Sequence, residues 1–180
     1  MTRRLRMDRS PRAALARAGV AVLACALVAG CVDEHNANTL NEPVQSGVSA
    51  AKANKLKGEE FLAANAKKEG VKTTPSGVQY IVLKEGTGKK PTKTDEVEVH
   101  YTGTLIDGTK FDSSVDRGEP ASLAVNHVIP GWTEVLQMMQ EGAKWKVFIP
   151  SEQAYKRRGS PPKIGPNETL IFDIELLHVK

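Results

Sequence analysis

The residue types that most often do chemistry in proteins are few in this chain, and they are scattered along it. Four histidines occur among the 180 residues, without the spacing of a metal site: His35, His100, His127 and His178. The sequence contains neither the helical zinc-protease motif nor the glycine-flanked pentapeptide that presents a nucleophilic serine. The sequence therefore lacks the residue patterns typical of hydrolases and metal enzymes, and we expect no cofactor.

Two short motifs invite a functional interpretation and are better explained otherwise. Residues 86–90 (GTGKK) look like part of a phosphate-binding loop, but Leu83 stands at the first glycine position. Lys90 also replaces the serine or threonine that would hold magnesium. Residues 167–169 (NET) form a glycosylation sequon, which we interpret as a turn before the last strand.

The first 31 residues have the organisation of a bacterial export signal. Six arginines precede an apolar run at 18–29 (AGVAVLACALVA), which is too short to cross a hydrocarbon core of about 30 Å as a helix. Residues 28–31 (VAGC) resemble a bacterial lipobox, in which the cysteine receives a diacylglyceryl group before cleavage. We therefore expect a lipoprotein signal peptide over residues 1–30 and lipidation of Cys31. An ordinary signal peptide with a chance cysteine is the alternative.

Removal of that signal changes both the cysteine count and the charge of the mature chain. Cys25 would leave with the signal peptide and Cys31 would carry lipid, so no pair of thiols remains for a disulfide. The 25 basic and 21 acidic residues of the whole chain fall to 19 and 20 beyond residue 30. A net charge near zero argues against a nucleic-acid partner.

The residue after the lipidated cysteine indicates the membrane in which the protein would be anchored. Val32 at this position, by resemblance to lipoprotein sorting rules, favours the outer membrane.

The next 45 residues divide into a tether and a helix. Residues 31–45 are polar and without periodicity, as expected of a flexible tether. Residues 46–69 are rich in helix formers and carry a thin apolar stripe, formed by Leu56, Phe61 and Leu62, with Gly70 as a stop. We expect an amphipathic helix and linker over residues 46–75.

A globular domain is expected over residues 76–180, because the pattern there changes to short strand-like segments separated by glycine and aspartate. These segments span residues 78–83, 96–104, 110–113, 143–149 and 169–179. Residues 106–109 (IDGT) predict a hairpin turn, and residues 132–139 have helical apolar spacing. A short helix covering one face of an antiparallel sheet gives an α+β fold.

Several motifs in this domain, in their order along the chain, resemble the FKBP family of peptidyl-prolyl cis/trans isomerases. They are VHYTG at 99–103, DGTKFDSS at 107–114, VIPGW at 128–132 and NETLIFDIELL at 167–177. Residues 57–83 further resemble the helix and first strand of the periplasmic Mip-like and FkpA-like branch. The resemblance implies a bent antiparallel sheet wrapped around one short helix, with an apolar pocket for proline between them.

The resemblance, carried over motif by motif, also implies ten site residues. The catalytic set is Asp112, Tyr155 and Phe111, and the substrate-binding set is Tyr101, Leu123, Val128, Ile129, Trp132, Ile164 and Phe172. Asp112 would lie at the pocket edge beside Tyr101. Each aromatic residue, taken singly, is more simply explained as a core residue, so the functional interpretation rests on their joint occurrence in order.

Within that pocket, Trp132 would form the floor, and Phe111 and Phe172 the walls. The Ile129 backbone N–H and the Tyr155 hydroxyl would donate hydrogen bonds to the ligand. Such a site needs no nucleophile, because isomerisation of an X–Pro bond passes through a twisted amide and breaks no covalent bond. The barrier is about 18–20 kcal/mol, and an apolar pocket would favour the less charge-separated twisted state.

The sequence departs from the family pattern at three places near the pocket, one of which is Ser160, where eukaryotic members often have histidine. Leu123 stands where the family commonly has a phenylalanine, and Lys156 replaces the common glycine after Tyr155. Arg157 and Arg158 follow, so the loop over the pocket is unusually basic. These departures bear on the turnover rate and on the affinity for macrolide inhibitors, which the resemblance implies as ligands.

We therefore expect an isomerase that assists the folding of extracytoplasmic proteins, with proline-containing polypeptides as partners. It would be lipid-anchored in the outer membrane through Cys31, with its globular domain in the periplasm or at the cell surface. Two alternatives remain open: a catalytically weak chaperone that grips proline-containing segments, and a surface interaction protein. The segment before Lys57 is shorter than the dimerising arm of longer relatives, so we expect a monomer.

Overall fold

The structure, a computed structural model, describes residues 45–180 of the chain. The predicted signal peptide, the lipidation site Cys31 and the tether up to residue 44 lie outside the described residues. Among the helices of residues 45–180, none is both long enough and apolar enough to cross a membrane.

One antiparallel sheet of seven strands organises the domain. Its strands are β1 (Lys72–Thr73), β2 (Gln79–Lys84), β3 (Glu96–Leu105), β4 (Lys110–Ser113), β5 (Ala121–Ala124), β6 (Lys144–Ile149) and β7 (Leu170–Val179). Six strands lie in the order β1-β2-β6-β7-β3-β4, and β5 pairs with the first half of β3 while β4 pairs with the second half. The predicted antiparallel α+β architecture is confirmed.

Alternation of side chains along the long strands places one face of the sheet in the core. In β7, Leu170, Phe172, Ile174 and Leu176 are buried, and the residues between them are partly exposed. A bulge interrupts this alternation, because Glu98 pairs with His178 while the next residue of β3 pairs with Leu176. Bulges bend and twist a strand. The sequence pattern predicted a regular last strand and gave no sign of this bend.

The helix that the sheet wraps around, α3 (Pro130–Leu136), buries Trp132, Val135 and Leu136. It begins two residues before the predicted start, because proline is favoured in the first turn of a helix. Gly131 permits close packing on β6, since a Cβ there would lie 2.6 Å from Ile149 Cγ2. Four shorter helical elements were not predicted from the sequence: the one-turn helix α2 (Ser114–Arg117) and 3₁₀ turns at Val125–His127, Ser151–Gln153 and Lys156–Arg158.

The N-terminal helix α1 (Gln45–Asn65) packs on the domain through small and polar residues. Ala51, Gly58 and Asn65 are buried at intervals of seven residues, which puts them on one face. At Gly58, a Cβ would lie 2.3 Å from the Thr169 hydroxyl oxygen, so only glycine allows this approach. The prediction for Leu56 as part of the apolar stripe is wrong, because its side chain is 55% exposed.

Two further contacts fix α1 against the sheet. The Phe61 ring lies 5.9 Å from the Phe148 ring, centroid to centroid. The Asn65 amide donates to the Gln79 side chain at 3.0 Å, and Gln79 donates in turn to the Leu62 carbonyl at 2.9 Å. The helix ends at Asn65 and not at the predicted residue 69. Beyond it the backbone tightens into turns, in which the Lys67 and Lys68 N–H groups donate to carbonyls three residues back, and Gly70 has a φ of 78°.

The predicted hairpin between β3 and β4 is confirmed. The Leu105 N–H donates to the Thr109 carbonyl at 2.9 Å, and Gly108 has a φ of 88°, a conformation that favours glycine. Asp107 stabilises the turn by accepting from the Thr109 N–H at 2.8 Å. The turn matters for the site because it returns the chain from β3 to Phe111 and Asp112.

Candidate active site

A cavity of about 660 Å³ lies where α3, the sheet and the loop at 155–164 meet. All ten residues that the family resemblance singled out line it: Tyr101, Phe111, Asp112, Leu123, Val128, Ile129, Trp132, Tyr155, Ile164 and Phe172. Its volume is in the range of small-molecule and cofactor sites, roughly 300–1,000 Å³. Residues far apart in the sequence thus share one hollow.

Three buried aromatic rings form the apolar interior of the cavity. Phe172 is at the centre of the group, with its ring centroid 5.2 Å from that of Trp132 and 5.5 Å from that of Phe111. Both pairs are close to perpendicular, at 87° and 85°, which is the edge-to-face arrangement that aromatic pairs favour. The exposed fractions are only 4% for Trp132, 7% for Phe111 and 4% for Phe172, so the rings hold each other in place.

Gly103 in β3 makes room for two of these rings. A Cβ at this position would lie 2.6 Å from the Phe111 ring and 2.9 Å from the Phe172 ring. Real Cβ atoms do not approach so closely, so any larger residue would displace the rings from the cavity wall. Sequence reasoning did not assign Gly103 to the site, although an isolated glycine within a strand is a known sign of close approach.

The polar edge of the cavity is a linked group of three side chains. The Tyr101 hydroxyl donates to the Asp112 carboxylate, and the Arg117 guanidinium forms an ion pair with the same carboxylate. Arg117 also donates to the Tyr101 hydroxyl oxygen at 3.3 Å and lies over the Tyr101 ring, 5.7 Å from its centroid. The sequence analysis did not identify Arg117, because its position five residues after Asp112 indicates proximity only once α2 is known.

Helix α2 positions Arg117 beside the cavity. The Ser113 hydroxyl caps the helix by accepting from the Asp116 N–H at 3.1 Å. The fully buried Ser114 hydroxyl accepts from the Tyr101 N–H at 2.8 Å, which joins α2 to β3. Gly118 ends the helix in the left-handed conformation. The two serines therefore fix the direction from which Arg117 approaches Asp112.

These contacts set the charge states at the cavity edge. Partial burial would by itself raise the pKa of Asp112, but the hydrogen bonds from Tyr101 and Arg117 outweigh it and hold that pKa below its usual value. Burial, together with the hydrogen bond to Asp112, raises the pKa of the Tyr101 hydroxyl. At neutral pH the pair is therefore an ionised carboxylate and a protonated phenol.

Two residues that line the cavity, Ile129 and Tyr155, carry hydrogen-bond donors without a partner in the described residues. Ile129 is the N-cap of α3; its carbonyl accepts from the Trp132 N–H at 2.9 Å, but its own N–H has no acceptor within residues 45–180. The Tyr155 side chain is 39% exposed, and its hydroxyl has no hydrogen-bond partner in the same region. Both groups are thus available to a ligand carbonyl.

A short loop at 160–164 forms another part of the cavity lining, and only Ile164 of this loop was predicted as a site residue. Its backbone closes through paired hydrogen bonds between Ser160 and Ile164, of 2.9 and 3.0 Å. The Lys163 ammonium donates to the Phe111 carbonyl at 2.8 Å. The lining residues that sequence reasoning missed are His127, Ser160, Pro161, Pro162 and Lys163. No catalytic pattern distinguishes them in the sequence.

The arrangement suits binding and conformational change better than bond cleavage. Residues 45–180 contain no group of three or more histidine, cysteine, aspartate or glutamate side chains that could hold a metal ion. The lining contains no serine or cysteine hydrogen-bonded to a histidine base. It offers an aromatic interior, one ionised carboxylate and two donors.

Fold and cavity together define an FKBP-like α+β protein, a bent antiparallel sheet wrapped around a short helix. Residues 87–177 match the family described as FKBP-type peptidyl-prolyl cis-trans isomerase, and residues 32–82 match the domain amino-terminal to it. The chain belongs to the FKBP-type peptidyl-prolyl isomerase family, as the sequence motifs predicted.

Relatives from the Mip-like and FkpA-like branch are similar over most of the chain. FkpA of Aeromonas hydrophila is 63% identical over 127 residues, which are 71% of this chain and 47% of that protein. The outer membrane protein MIP of Legionella longbeachae is 55% identical over 130 residues, or 72% and 56% of the two chains. The chain thus spans about half the length of these relatives.

Solved structures confirm the fold. The crystal structure of FkpA from Escherichia coli has a TM-score of 0.73 and 48% identity, covering 76% of this chain and 63% of that one. A peptidyl-prolyl cis-trans isomerase from Pseudomonas syringae pv. tomato has a TM-score of 0.68 and 41% identity, covering 72% of this chain and 96% of that one.

Proposed function

We propose that this chain catalyses cis/trans isomerisation of X–Pro peptide bonds in its aromatic cavity. The observation that carries the proposal is that Trp132, Phe111 and Phe172 line a single hollow with the ionised Asp112 at its edge. Membership in a family of isomerases supports the same activity.

The reaction requires only that the planar amide be destabilised relative to the twisted one. The uncatalysed change crosses a barrier of about 18–20 kcal/mol and takes tens to hundreds of seconds. The twisted amide has lost its resonance and carries less charge separation, so removing it from water costs less than removing the planar form. An apolar cavity therefore lowers the barrier without any covalent step.

Each polar group at the cavity edge has a role in this scheme. The Ile129 N–H and the Tyr155 hydroxyl orient the peptide by donating to its carbonyl oxygens. The Asp112 carboxylate repels the partial negative charge on a nearby amide oxygen, and that charge is larger in the planar than in the twisted state. Tyr101 and Arg117 hold Asp112 in place and keep it ionised.

A protease-coupled assay on X–Pro peptides tests the proposal. The full-length chain should convert the cis fraction much faster than the uncatalysed reaction. The variant Phe111→Ala should lose most of this acceleration, while its far-UV circular dichroism still reports a folded protein. A wild-type rate equal to the uncatalysed one would reject the proposal.

We further propose that the chain is divided into a signal peptide (1–30), a tether (31–45), a helix with linker (46–75) and an isomerase domain (76–180). Cys31 would carry lipid and anchor the chain in the outer membrane, with the domain in the periplasm. The VAGC motif supports this location, as does an outer membrane protein among the relatives. Mass spectrometry of the membrane fraction should find acyl chains on Cys31, and Cys31→Ser should release the protein into the soluble fraction.

A second candidate function, a chaperone that grips proline-containing segments with little catalysis, is favoured by one observation. Leu123 supplies a small aliphatic wall to the cavity and is only half-buried in β5. Suppression of aggregation that survives Phe111→Ala would favour this function over the first. A surface interaction role would instead require the domain to be accessible to protease on intact cells.

Two partner assignments also belong to this proposal. The cavity volume lies in the range of small-molecule sites, and we propose that macrolide inhibitors compete there with proline peptides. We propose that the chain is a monomer, which analytical ultracentrifugation of the full-length protein would test.

A further inference from the structure

Four basic residues lie in the loop at 155–164, whose two ends line the cavity, and we call them the basic rim: Lys156, Arg157, Arg158 and Lys163. The first three form a 3₁₀ turn directly after Tyr155, which lines the mouth, and all three side chains are exposed. Lys163 itself lines the cavity. The proposed isomerisation reaction gives these four basic residues no role.

The backbone of the basic rim is fixed by hydrogen bonds. The Lys156 carbonyl accepts from the Asn167 N–H at 2.8 Å, and the Gly159 N–H donates to the Tyr155 carbonyl at 3.2 Å. Lys156 adopts a φ of 53°, in the left-handed region that favours glycine. A lysine therefore stands next to the cavity-lining Tyr155 despite a local conformational cost, which is a recurrent property of functional positions.

The charge of the basic rim is not neutralised within the described part of the chain. No carboxylate of residues 45–180 lies within salt-bridge distance of these four side chains. The one carboxylate in the cavity lining, Asp112, is paired with Arg117. Lys163 contacts a neutral acceptor, the Phe111 carbonyl. A ligand in the cavity therefore meets a positive potential at this side of the mouth.

We infer that the basic rim makes acidic proline-containing segments the preferred substrates, with aspartate or glutamate within about three residues of the proline. The inference rests on the proposed isomerase function. An extended chain advances about 3.3 Å per residue, so residues flanking a bound proline cross the rim. The attraction acts equally on the planar and twisted amide, so it lowers KM and leaves kcat nearly constant.

The test compares three peptides with the same Leu-Pro-Phe centre, flanked on both sides by glutamate, alanine or lysine. For the full-length wild-type protein, we expect kcat/KM for the glutamate peptide to exceed that for the lysine peptide about three- to tenfold, since each exposed ion pair contributes little. The difference should lie in KM and should shrink as salt rises from low to about 0.5 M, because salt screens exposed charges.

The double variant Arg157→Glu, Arg158→Glu should abolish or invert the ratio of the glutamate to the lysine peptide. The matched control Lys67→Glu, Lys72→Glu changes the net charge equally at exposed positions far from the loop at 155–164 in the sequence, one after α1 and one in β1, and it should keep the ratio. Because both peptides are measured on the same protein sample, the ratio of their kcat/KM values does not depend on how much of the variant is folded. Lys156→Gly should reduce the ratio while relieving the strained backbone.

Three outcomes would overturn the inference. Equal acceleration of all three peptides by the wild-type protein would reject the inference and leave the isomerase function intact. Acceleration of none would reject the isomerase function, and the inference with it. Flank-independent rates combined with Arg157- and Arg158-dependent binding to phosphatidylglycerol vesicles would assign the rim to a membrane surface instead.

Discussion

Tyr101 donates its hydroxyl hydrogen to the Asp112 carboxylate at the edge of the aromatic cavity. The bond joins β3 to β4 across the hairpin, and Arg117 closes the group from α2. An ionised carboxylate thus borders an apolar space where a planar amide would lie. The arrangement connects the strand pairing of the fold to the electrostatics of the proposed reaction.

Removing the charge of Asp112 should slow catalysis more than it changes the fold. Asp112→Asn keeps the shape of the side chain, and we expect kcat/KM to fall about five- to tenfold, equivalent to roughly 1–1.4 kcal/mol of transition-state stabilisation. Asp116→Asn is the matched control, because that exposed carboxylate pairs with Lys110 outside the cavity lining. Equal rates for Asp112→Asn and wild type would remove Asp112 from the mechanism.

The lowered pKa of Asp112 predicts how stability depends on pH. A carboxylate whose pKa is lower in the folded than in the unfolded state stabilises the fold above the unfolded value, about 3.9. This stabilisation is lost as pH falls through the lower folded pKa. The difference in unfolding free energy between wild type and Asp112→Asn should therefore be present at pH 7 and shrink below about pH 4. Urea unfolding at pH 7 and pH 3 measures it, and a constant difference would contradict the assigned ion pair.

Gly103→Ala should disturb the cavity by pushing the rings of Phe111 and Phe172. Overpacking of this kind destabilises by about 1–3 kcal/mol, and isomerisation should fall with it. Phe111→Leu on the Gly103→Ala background should recover part of the lost stability, since the smaller side chain frees the space that the new methyl group needs. Simple additivity of the two stability effects in a double-mutant cycle would argue against this contact.

Two substitutions in helix α1 test which of its faces packs on the domain: the face with Gly58, as in the structure, or the apolar stripe with Leu56, as the sequence indicated. Gly58→Ala should destabilise the protein by about 1–3 kcal/mol, because the new Cβ meets Thr169. Leu56→Ala should change stability by no more than about 0.5 kcal/mol, because an exposed side chain loses little burial. Thermal unfolding of the two variants checks the order, and a larger effect at Leu56 would contradict the docking face.

The sequence predicted five of the seven strands, the hairpin and the central helix, because each has a local signal. Alternation of apolar and polar residues marks β3, and an aspartate followed by a glycine marks its turn. Elements without such a signal were missed: β1 has two residues and β5 four, which is too short to show periodicity. The equally short β4 was predicted because the hairpin turn precedes it. The bulge beside Glu98 was also missed. It arises from the pairing of β3 with β7, which are far apart in the sequence, so no local pattern marks it.

The site was predictable to the extent that ordered motifs carry it. Tyr101, Asp112, Trp132 and Phe172 lie within family motifs, and the structure brings their side chains to one cavity. Arg117 and Gly103 could not be assigned in this way, because their roles depend on a three-dimensional contact: an ion pair for the first and a missing Cβ for the second. Leu56 was misassigned because hydrophobicity was read without knowing that α1 docks through Gly58.

The most direct test of the central claim is two-dimensional exchange NMR of the cis and trans signals of one X–Pro peptide. With catalytic amounts of the full-length chain, exchange should accelerate from the uncatalysed scale of tens to hundreds of seconds to well under a second. Trp132→Leu, which alters the cavity floor, should return it most of the way toward the uncatalysed rate. Wild-type exchange no faster than that of the peptide alone would contradict the account.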